Sequence, residues 1–238
     1  MLAARRVARK PRPSGAPPVG GVREYPYREA RLFPPLYAII DSTLSGDRAI
    51  VFVRALSGAG VTLFQLRHKT STPAAICTET VSLLASIASP EVRLIINDRP
   101  DIAAITGAAG VHVGQYDLPV EAAREICGPA RWVGVSTHNL DQLREADRTS
   151  ADYIAVGPIF PTATKGNPDP VVGVEFVRAA RRITRKPLVA IGGISADTAE
   201  QVYRAGADSV AVIRDLIAAD DRAARARQYF AAAERARS

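Results

Sequence analysis

The sequence predicts a single α/β domain of the (β/α)8 TIM barrel class, and two observations support this. From residue 35 onward, short runs of apolar, β-forming residues alternate with helical segments, and there are eight such runs. The runs are almost continuously apolar, which is typical of strands buried on both faces of a parallel sheet. Eight strand–helix units within residues 35–238 fit the small end of the barrel's size range. The predicted strands are 36–41, 61–67, 92–98, 110–114, 131–137, 152–160, 187–193 and 209–214.

Helical segments lie between these runs and after the last one. One of them, 195–206, has Ser195 in position to cap its first turn and Gly206 in position to end it. The alternative is an open, doubly wound sheet. That fold usually has five or six strands, and no G-x-G-x-x-G follows the first strand here. The other helices named by the pattern are 72–88, 120–126, 175–183 and 221–237.

The basic character of the chain is concentrated in its first 34 residues. This segment is rich in Arg, Pro and Gly and carries +6 of the net charge of +7. We therefore divide the chain into a disordered or loosely ordered extension, 1–34, and a barrel domain, 35–238. Because the barrel itself is nearly neutral, we expect no nucleic-acid partner. An organellar transit peptide is the alternative for the extension, and its prolines and scarce serines disfavour that reading.

Composition also restricts the location and the architecture of the protein. No apolar run reaches the length of about 18 residues that a membrane span needs, so we expect no membrane association. The two cysteines, Cys77 and Cys127, form no disulfide framework, and a cytoplasmic location is predicted. The oligomeric state is left open, with a homo-oligomer among the alternatives.

An amide and two cations follow the second predicted strand. Alternation along a strand places Gln65, Arg67 and Lys69 on one side at its exit. This combination suits a phosphate or diphosphate group. The alternative is an ordinary solvated loop.

A carboxylate follows each of the next two strands. Asn97 and Asp98 end the third strand, and Asp117 follows the fourth. Two carboxylates can hold one Mg²⁺ and leave positions for water and phosphate oxygens. Alternatively, each aspartate serves a turn or a helix cap.

Hydroxyl groups, glycines and a lysine occupy the remaining strand exits. The fifth strand gives Ser136 and His138, with the histidine either an acid–base group or a structural one. The sixth strand leads into Thr162, Thr164 and Lys165, in a Pro/Gly-rich loop long enough to act as a lid.

The exits of the seventh and eighth strands are the usual phosphate site of such barrels. Here they are Gly192-Gly193 and Ile213-Arg214, where backbone N–H groups can approach an anion. Of the other two histidines, His112 is interpreted as structural, and His68 faces away from the site.

This inventory places anion-binding groups around a predicted metal pair. No Ser-His-Asp set, cysteine nucleophile or strand lysine for a Schiff base is apparent. The pattern favours a transferase acting on phosphorylated substrates, in which positioning and charge stabilisation do most of the work.

Six motifs, in the same order and with similar spacing, resemble those of the thiamine phosphate synthase family. The resemblance implies a (β/α)8 barrel that joins hydroxymethylpyrimidine diphosphate to a thiazole phosphate and releases pyrophosphate, with Mg²⁺. The motifs are QLRxK (65–69), NDR (97–99), GVHVGQxD (110–117), GVSTHN (134–139), ADYIAVGPIFPTxTK (151–165) and AIGGI (190–194).

The resemblance also implies a role for each matching residue. Asp98 and Asp117 would hold the Mg²⁺, and the pyrimidine and thiazole phosphates would be the partners. The catalytic residues would be Arg67, Ser136 and Lys165, with Ser136 and Lys165 supporting the departing pyrophosphate. The substrate-binding residues would be Gln65, Arg67, Lys69, Asn97, Ser136, Thr162, Thr164, Lys165, Gly193 and Ile213.

Two positions depart from the family pattern, and two other functions stay open. His68 stands where the family has Glu, and Arg214 stands where it has Ser. A thiazole tautomerase of the same family is one alternative, although such proteins generally lack Asp117 of GQxD and the T-x-T-K. A barrel that binds thiamine-related phosphates without catalysis is the other.

Overall fold

The computed structural model describes residues 33–41, 43–162 and 170–238, and it has the predicted architecture. Eight parallel strands pair in chain order and close into a barrel. Helices alternate with the strands and cover the outside of the barrel. The strands are β1 (Leu36–Asp41), β2 (Leu63–Arg67), β3 (Arg93–Asn97), β4 (Gly110–Val113), β5 (Trp132–Thr137), β6 (Tyr153–Val156), β7 (Leu188–Ile191) and β8 (Ser209–Val212).

The helices of the described residues alternate with these strands. None of them combines the length and the apolar character needed to span a membrane. They are α1 (Asp47–Gly58), α2 (Pro73–Ser86), α3 (Pro100–Thr106), α4 (Val120–Cys127), α5 (Leu140–Arg148), α6 (Gly173–Ile183), α7 (Ala196–Arg204), α8 (Arg214–Ile217) and α9 (Arg222–Arg237).

The first and last strands close the barrel by pairing with each other. Leu36 of β1 lies opposite Val210 of β8, and Ala38 lies opposite Val212. The (β/α)8 prediction is thereby confirmed over the open-sheet alternative. The predicted 1–34 extension lies outside the described residues except for its last two. Phe33 already packs against the barrel interior, so the boundary at residue 34 stays a prediction.

Several predicted strands end earlier than expected, and the sixth and seventh show why. The sequence run 152–160 gives a strand only over Tyr153–Val156, because Pro158 has no N–H to donate to the ladder. The run 187–193 stops at Ile191, because Gly192 and Gly193 adopt positive φ values of 102° and 63°. The backbone N–H of Ile159 still donates to the Ile191 carbonyl at 2.9 Å, so the two exits remain side by side.

The predicted ends of α7 are confirmed. Ser195 is the N-cap, and its backbone N–H donates to the Thr198 hydroxyl at 3.0 Å in a capping box. Gly206 follows the C-cap with φ of 109°, a conformation that residues with a Cβ rarely adopt.

Aromatic rings fill the half of the barrel interior that lies toward the amino ends of the strands. Phe33 stacks on Trp132 with ring centroids 5.3 Å apart, and the Arg93 guanidinium lies 4.3 Å from the Trp132 ring. The Tyr153 ring lies above them, in the space that a side chain at Gly134 would occupy. A Cβ built on Gly134 would lie 2.0 Å from that ring. The interior is therefore packed at the amino ends of the strands, and polar groups are left for the carboxyl ends.

This packing predicts that Gly134→Ala destabilises the fold. The added methyl must displace the buried Tyr153 ring, so we expect a loss of about 2 kcal/mol in the free energy of unfolding, measured by urea denaturation. Gly58→Ala is the matched control, because a Cβ there meets nothing within 4 Å. The control should change stability by less than about 0.5 kcal/mol. Equal effects of the two substitutions would contradict this account of the core.

Candidate active site

A cavity of about 220 Å³ opens at the carboxyl ends of the strands. The predicted site residues in the described part of the chain line it, apart from Gly193. Thr164 and Lys165 lie outside the described residues. The lining side chains from the predicted set are Gln65, Arg67, Lys69, Asn97, Asp98, Asp117, Ser136, Thr162 and Ile213.

The cations at the exit of β2 are each paired with a carboxylate. Arg67 Nη1 lies 3.5 Å from Asp41 Oδ2, at the end of the neighbouring strand β1. Lys69 Nζ lies 3.4 Å from Asp98 Oδ2, after β3. Gln65 lies one step deeper and is buried. The alternation inferred from the sequence thus places an amide and two cations on one wall of the cavity.

Asp98 and Asp117 form a closely spaced carboxylate pair. Burial and the adjacent Asp117 carboxylate raise the pKa of Asp98 to about 6, and Lys69 opposes this shift. Asp98 also has φ of 61°, a conformation uncommon for residues other than glycine. Asp117 Oδ2 accepts a hydrogen bond from the Gly114 N–H at 2.8 Å, so it fixes its own loop as well as facing the cavity.

The two carboxylates suit a hard divalent cation. Mg²⁺ is typically held by one or two carboxylates, with water and substrate oxygens completing its shell. Within the described residues there is no group of three or more His, Cys, Asp or Glu side chains that could hold a metal. A cation bound between Asp98 and Asp117 would have coordination positions open to substrate and solvent oxygens.

His138 and Ser136 lie at the exit of β5. His138 Nδ1 lies 2.6 Å from the Gly157 carbonyl oxygen, so that nitrogen carries the proton and donates. Ser136 Oγ lies 2.9 Å from His112 Nε2. His112 was interpreted as structural, and the structure places it in the cavity wall.

A chain of buried hydrogen bonds runs beneath the cavity from β2 to β5. Gln65 Nε2 donates to the Tyr37 hydroxyl at 2.8 Å, and that hydroxyl lies 3.0 Å from the hydroxyl of Tyr153. The Tyr153 hydroxyl in turn lies 3.0 Å from His112 Nδ1. Burial raises the pKa of both phenols, which keeps them protonated. We call this series, from Gln65 through Tyr37, Tyr153 and His112 to Ser136, the polar chain.

The exits of β7 and β8 complete the rim. Gly192 and Ile213 line the cavity, whereas Gly193, the next residue after Gly192, is not among the lining residues. A Cβ on Gly193 would lie 2.5 Å from the carbonyl oxygen of Pro161, which follows β6. Glycine therefore allows the backbones at the exits of β6 and β7 to approach closely.

The two departures from the family pattern lie away from the cavity lining. His68 is buried behind the exit of β2, where its ring nitrogens face the Leu44 carbonyl at 3.3 Å and Glu79 at 3.2 Å. Arg214 is exposed at the start of α8 and does not line the cavity. Neither side chain therefore changes the shape of the described site.

Sequence reasoning missed several polar or aromatic residues at the site. Tyr37 and Tyr153 were assigned to strand cores without a role, and Asp41 was not considered. Tyr116, in the loop after β4, was also missed and is fully exposed at the mouth. Alternation was the available signal for β1, because Tyr37, Ile39 and Asp41 share one side of that strand.

Comparison with known proteins identifies the family. A model of the family described as thiamine monophosphate synthase matches residues 36–216. The chain belongs to this family. It is 49% identical over 189 residues to a thiamine-phosphate synthase of Koribacter versatilis, covering 77% of this chain and 89% of that protein. It is 40% identical over 203 residues to one of Shouchella clausii, covering 84% and 97% respectively.

Solved structures agree with this assignment. Thiamine phosphate pyrophosphorylase from Pyrococcus furiosus is 30% identical, with a TM-score of 0.77, over 86% of this chain and 97% of the other. A 3-hexulose-6-phosphate synthase matches with a TM-score of 0.62 over 83% of this chain and 99% of the other. At 22% identity that second likeness shows the shared fold alone. The resemblance seen in the six motifs is confirmed.

The carboxylate pair predicts that Asp98→Asn stabilises the metal-free protein above pH 6. The pKa of Asp98 lies above the ordinary 3.8, so the native state loses stability as pH rises through that interval and the carboxylate ionises beside Asp117. Asparagine removes the charge and tolerates positive φ. After discounting for partial exposure, we expect a gain of about 1 kcal/mol at pH 8 that shrinks toward pH 4.

The measurement is denaturation in EDTA at several pH values. Asp141→Asn is the control, because that side chain is 90% exposed. A stability gain from Asp98→Asn that stays constant with pH would contradict the raised pKa of Asp98.

Proposed function

We propose that this protein joins hydroxymethylpyrimidine diphosphate to a thiazole phosphate, forming thiamine phosphate and releasing pyrophosphate, as a transferase of its family. One observation carries the proposal beyond family membership. The described rim brings together Arg67, Lys69 and the Asp98–Asp117 pair around one cavity. This arrangement suits a diphosphate with a divalent cation.

The pyrimidine diphosphate is assigned to the β2 and β3 side of the cavity. Arg67 and Lys69 would contact the diphosphate oxygens, where the guanidinium offers a fixed fork and the ammonium a mobile charge. Gln65 and Asn97, both in the lining, would hydrogen-bond the pyrimidine ring. Asp41 would hold Arg67 in place through its ion pair.

Mg²⁺ fits between Asp98 and Asp117, whose carboxylates would hold it. When bound, the cation would neutralise charge on the diphosphate oxygens. Burial and the Asp117 carboxylate raise the pKa of Asp98, and a bound cation would favour the ionised form of both carboxylates.

The thiazole phosphate is assigned to the β6, β7 and β8 side. Thr162 and Thr164 would donate hydroxyl hydrogen bonds, and backbone N–H groups near Gly193 and Ile213 would approach the phosphate. Thr162 and Ile213 line the cavity, and Gly193 follows the lining residue Gly192. The two substrates would therefore meet above the strands between the two groups of anion binders.

The reaction is proposed to proceed by dissociation. The C–O bond to the diphosphate breaks first, and the aminopyrimidine delocalises the resulting cation. The thiazole nitrogen then forms the new C–N bond with its own lone pair, so this step needs no strong general base. Arg67, Lys69, Ser136 and Lys165 would stabilise the departing pyrophosphate. A cytoplasmic location stays a prediction, and the oligomeric state stays open, with a homo-oligomer among the alternatives.

The first test is an assay of purified protein with both substrates and Mg²⁺, following thiamine phosphate and pyrophosphate. We expect both products in equal amounts, and we expect EDTA to abolish turnover and added Mg²⁺ to restore it. Turnover that persists in EDTA would refute the metal assignment. Binding of the thiazole phosphate without any product would refute the proposed reaction.

A second test compares the loss of activity on removing Arg67 with the loss on removing a nearby arginine outside the cavity lining. Arg67→Gln removes a cation from the cavity wall, so we expect kcat/KM for the pyrimidine diphosphate to fall about 100-fold or more. Arg99→Gln is the matched control, because Arg99 follows the end of β3 and bonds to Asp101 at 2.8 Å without lining the cavity. Equal losses in both variants would argue against a specific role for Arg67.

A further inference from the structure

We propose that the polar chain is a directed series of hydrogen bonds in which each member donates to the next, from Gln65 to Ser136, and that His112 is its neutral central link with the proton on Nε2. Tyr37, Tyr153 and His112 are then positioning residues that set how the two ends face the substrate. The inference rests on the proposed function, because the substrate determines the direction.

The geometry supports a continuous chain. The four contacts that join the five side chains measure 2.8, 3.0, 3.0 and 2.9 Å, all within hydrogen-bonding distance. Tyr37 and Tyr153 are 1% and 0% exposed, and His112 is 8% exposed. Water therefore has little access to the inner links. Each hydroxyl and each ring nitrogen of the series faces another of its members.

Only two uniform directions satisfy every link. A phenol hydroxyl has one proton, so if Tyr37 donates to Tyr153, the member of the series left to accept the Tyr153 proton is His112 Nδ1. Nδ1 is then unprotonated, and the proton on Nε2 is donated to Ser136. In the opposite direction Ser136 donates to Nε2, Nδ1 donates to Tyr153, and Tyr153 donates to Tyr37. Tyr37 then donates to the Gln65 side chain, whose amide oxygen would have to face it. Burial raises the pKa of both phenols, so both hydroxyls keep the proton that each must donate.

The anionic substrate selects the first direction. Ser136 lines the cavity, and the proposed leaving group there is a diphosphate. A hydroxyl facing phosphate oxygens must donate its proton to them. Ser136 can do so only if it accepts from His112 Nε2. With a neutral imidazole, Nδ1 is then an acceptor, and the direction is fixed back to Gln65.

At the other end of the polar chain, Gln65 is then set to accept a hydrogen bond from the substrate. Gln65 donates one N–H to Tyr37, so its amide oxygen is available to accept a hydrogen bond from the cavity. An exocyclic amino group on the pyrimidine supplies that donor. The chain would thus couple recognition of the amino group at one end to hydrogen-bond donation toward the leaving group at the other.

The tautomer of His112 tests the direction without an activity assay. The protein contains three histidines, so the ¹⁵N signals of His112 in the labelled protein can be assigned by comparison with a His112→Gln variant. With Mg²⁺ and inorganic pyrophosphate bound at pH 8, we expect a protonated Nε2 and an unprotonated Nδ1. A protonated Nδ1, in either the other neutral tautomer or the imidazolium, would overturn the proposal.

A kinetic comparison tests the positioning role. Tyr153→Phe keeps the ring but removes the central hydroxyl, so we expect kcat to fall about 10-fold, as for one lost hydrogen bond, with KM for the thiazole phosphate unchanged. Tyr203→Phe is the matched control, because its buried hydroxyl donates to the Pro35 carbonyl at 2.8 Å, away from the cavity. The control should keep the wild-type kcat.

The outcomes separate this inference from the proposed function. Wild-type protein that makes no thiamine phosphate would refute the function itself. Active wild-type protein together with an unchanged kcat in Tyr153→Phe, or an equal loss in both variants, would overturn the polar chain alone. Because the tautomer is measured on wild-type protein, the proposal remains testable even if Tyr153→Phe fails to fold.

Discussion

The pairing of β1 with β8 is the constraint on which the rest of the structure depends. The strands are parallel, and closure bends their row into a ring, so all their carboxyl ends meet around a single rim. Residues far apart in the chain, such as Arg67 and Ile213, thereby line the same cavity. An open sheet of the same parallel strands would also align their carboxyl ends, but it would place the first and last strands at opposite ends of a row.

The interior of the barrel is filled by aromatic side chains at the amino ends of the strands and by polar side chains at their carboxyl ends. Aromatic rings at the amino ends exclude water and support the layer above them. The absence of a side chain at Gly134 leaves room for the Tyr153 ring, and the hydroxyl of that ring joins the polar chain. Burying these polar groups would be costly if they lacked partners, and the chain of hydrogen bonds offsets that cost.

The carboxylate pair shows that the site is not organised for maximum stability. Asp98 combines an uncommon backbone conformation with a like-charged neighbour, and both features are unfavourable in the isolated protein. The surrounding strands hold the residue there regardless. The same features favour a bound divalent cation, so stability is given up at the position where the proposed chemistry needs charge.

Much of this protein could be predicted from its sequence, because the relevant physics is local. Continuous apolar runs predicted the strands, and alternation at the exit of β2 correctly grouped Gln65, Arg67 and Lys69. The motifs identified the family, which the comparisons confirm. Strand ends were less certain: the pattern could not show that pairing of β6 stops at Val156.

Other features depend on groups that lie close together only in the fold. The partner of Arg67 is 26 residues away, and the hydroxyls of Tyr37 and Tyr153 meet across 116 residues. No periodicity reveals such contacts, because they depend on strand register and barrel closure. The sequence by itself determined the barrel, the family and which residue types face the rim. Only the tertiary structure decided that His112 links Tyr153 to Ser136 and that burial and the Asp117 carboxylate raise the pKa of Asp98, because hydrogen bonds, desolvation and charge interactions act over a few ångströms in space.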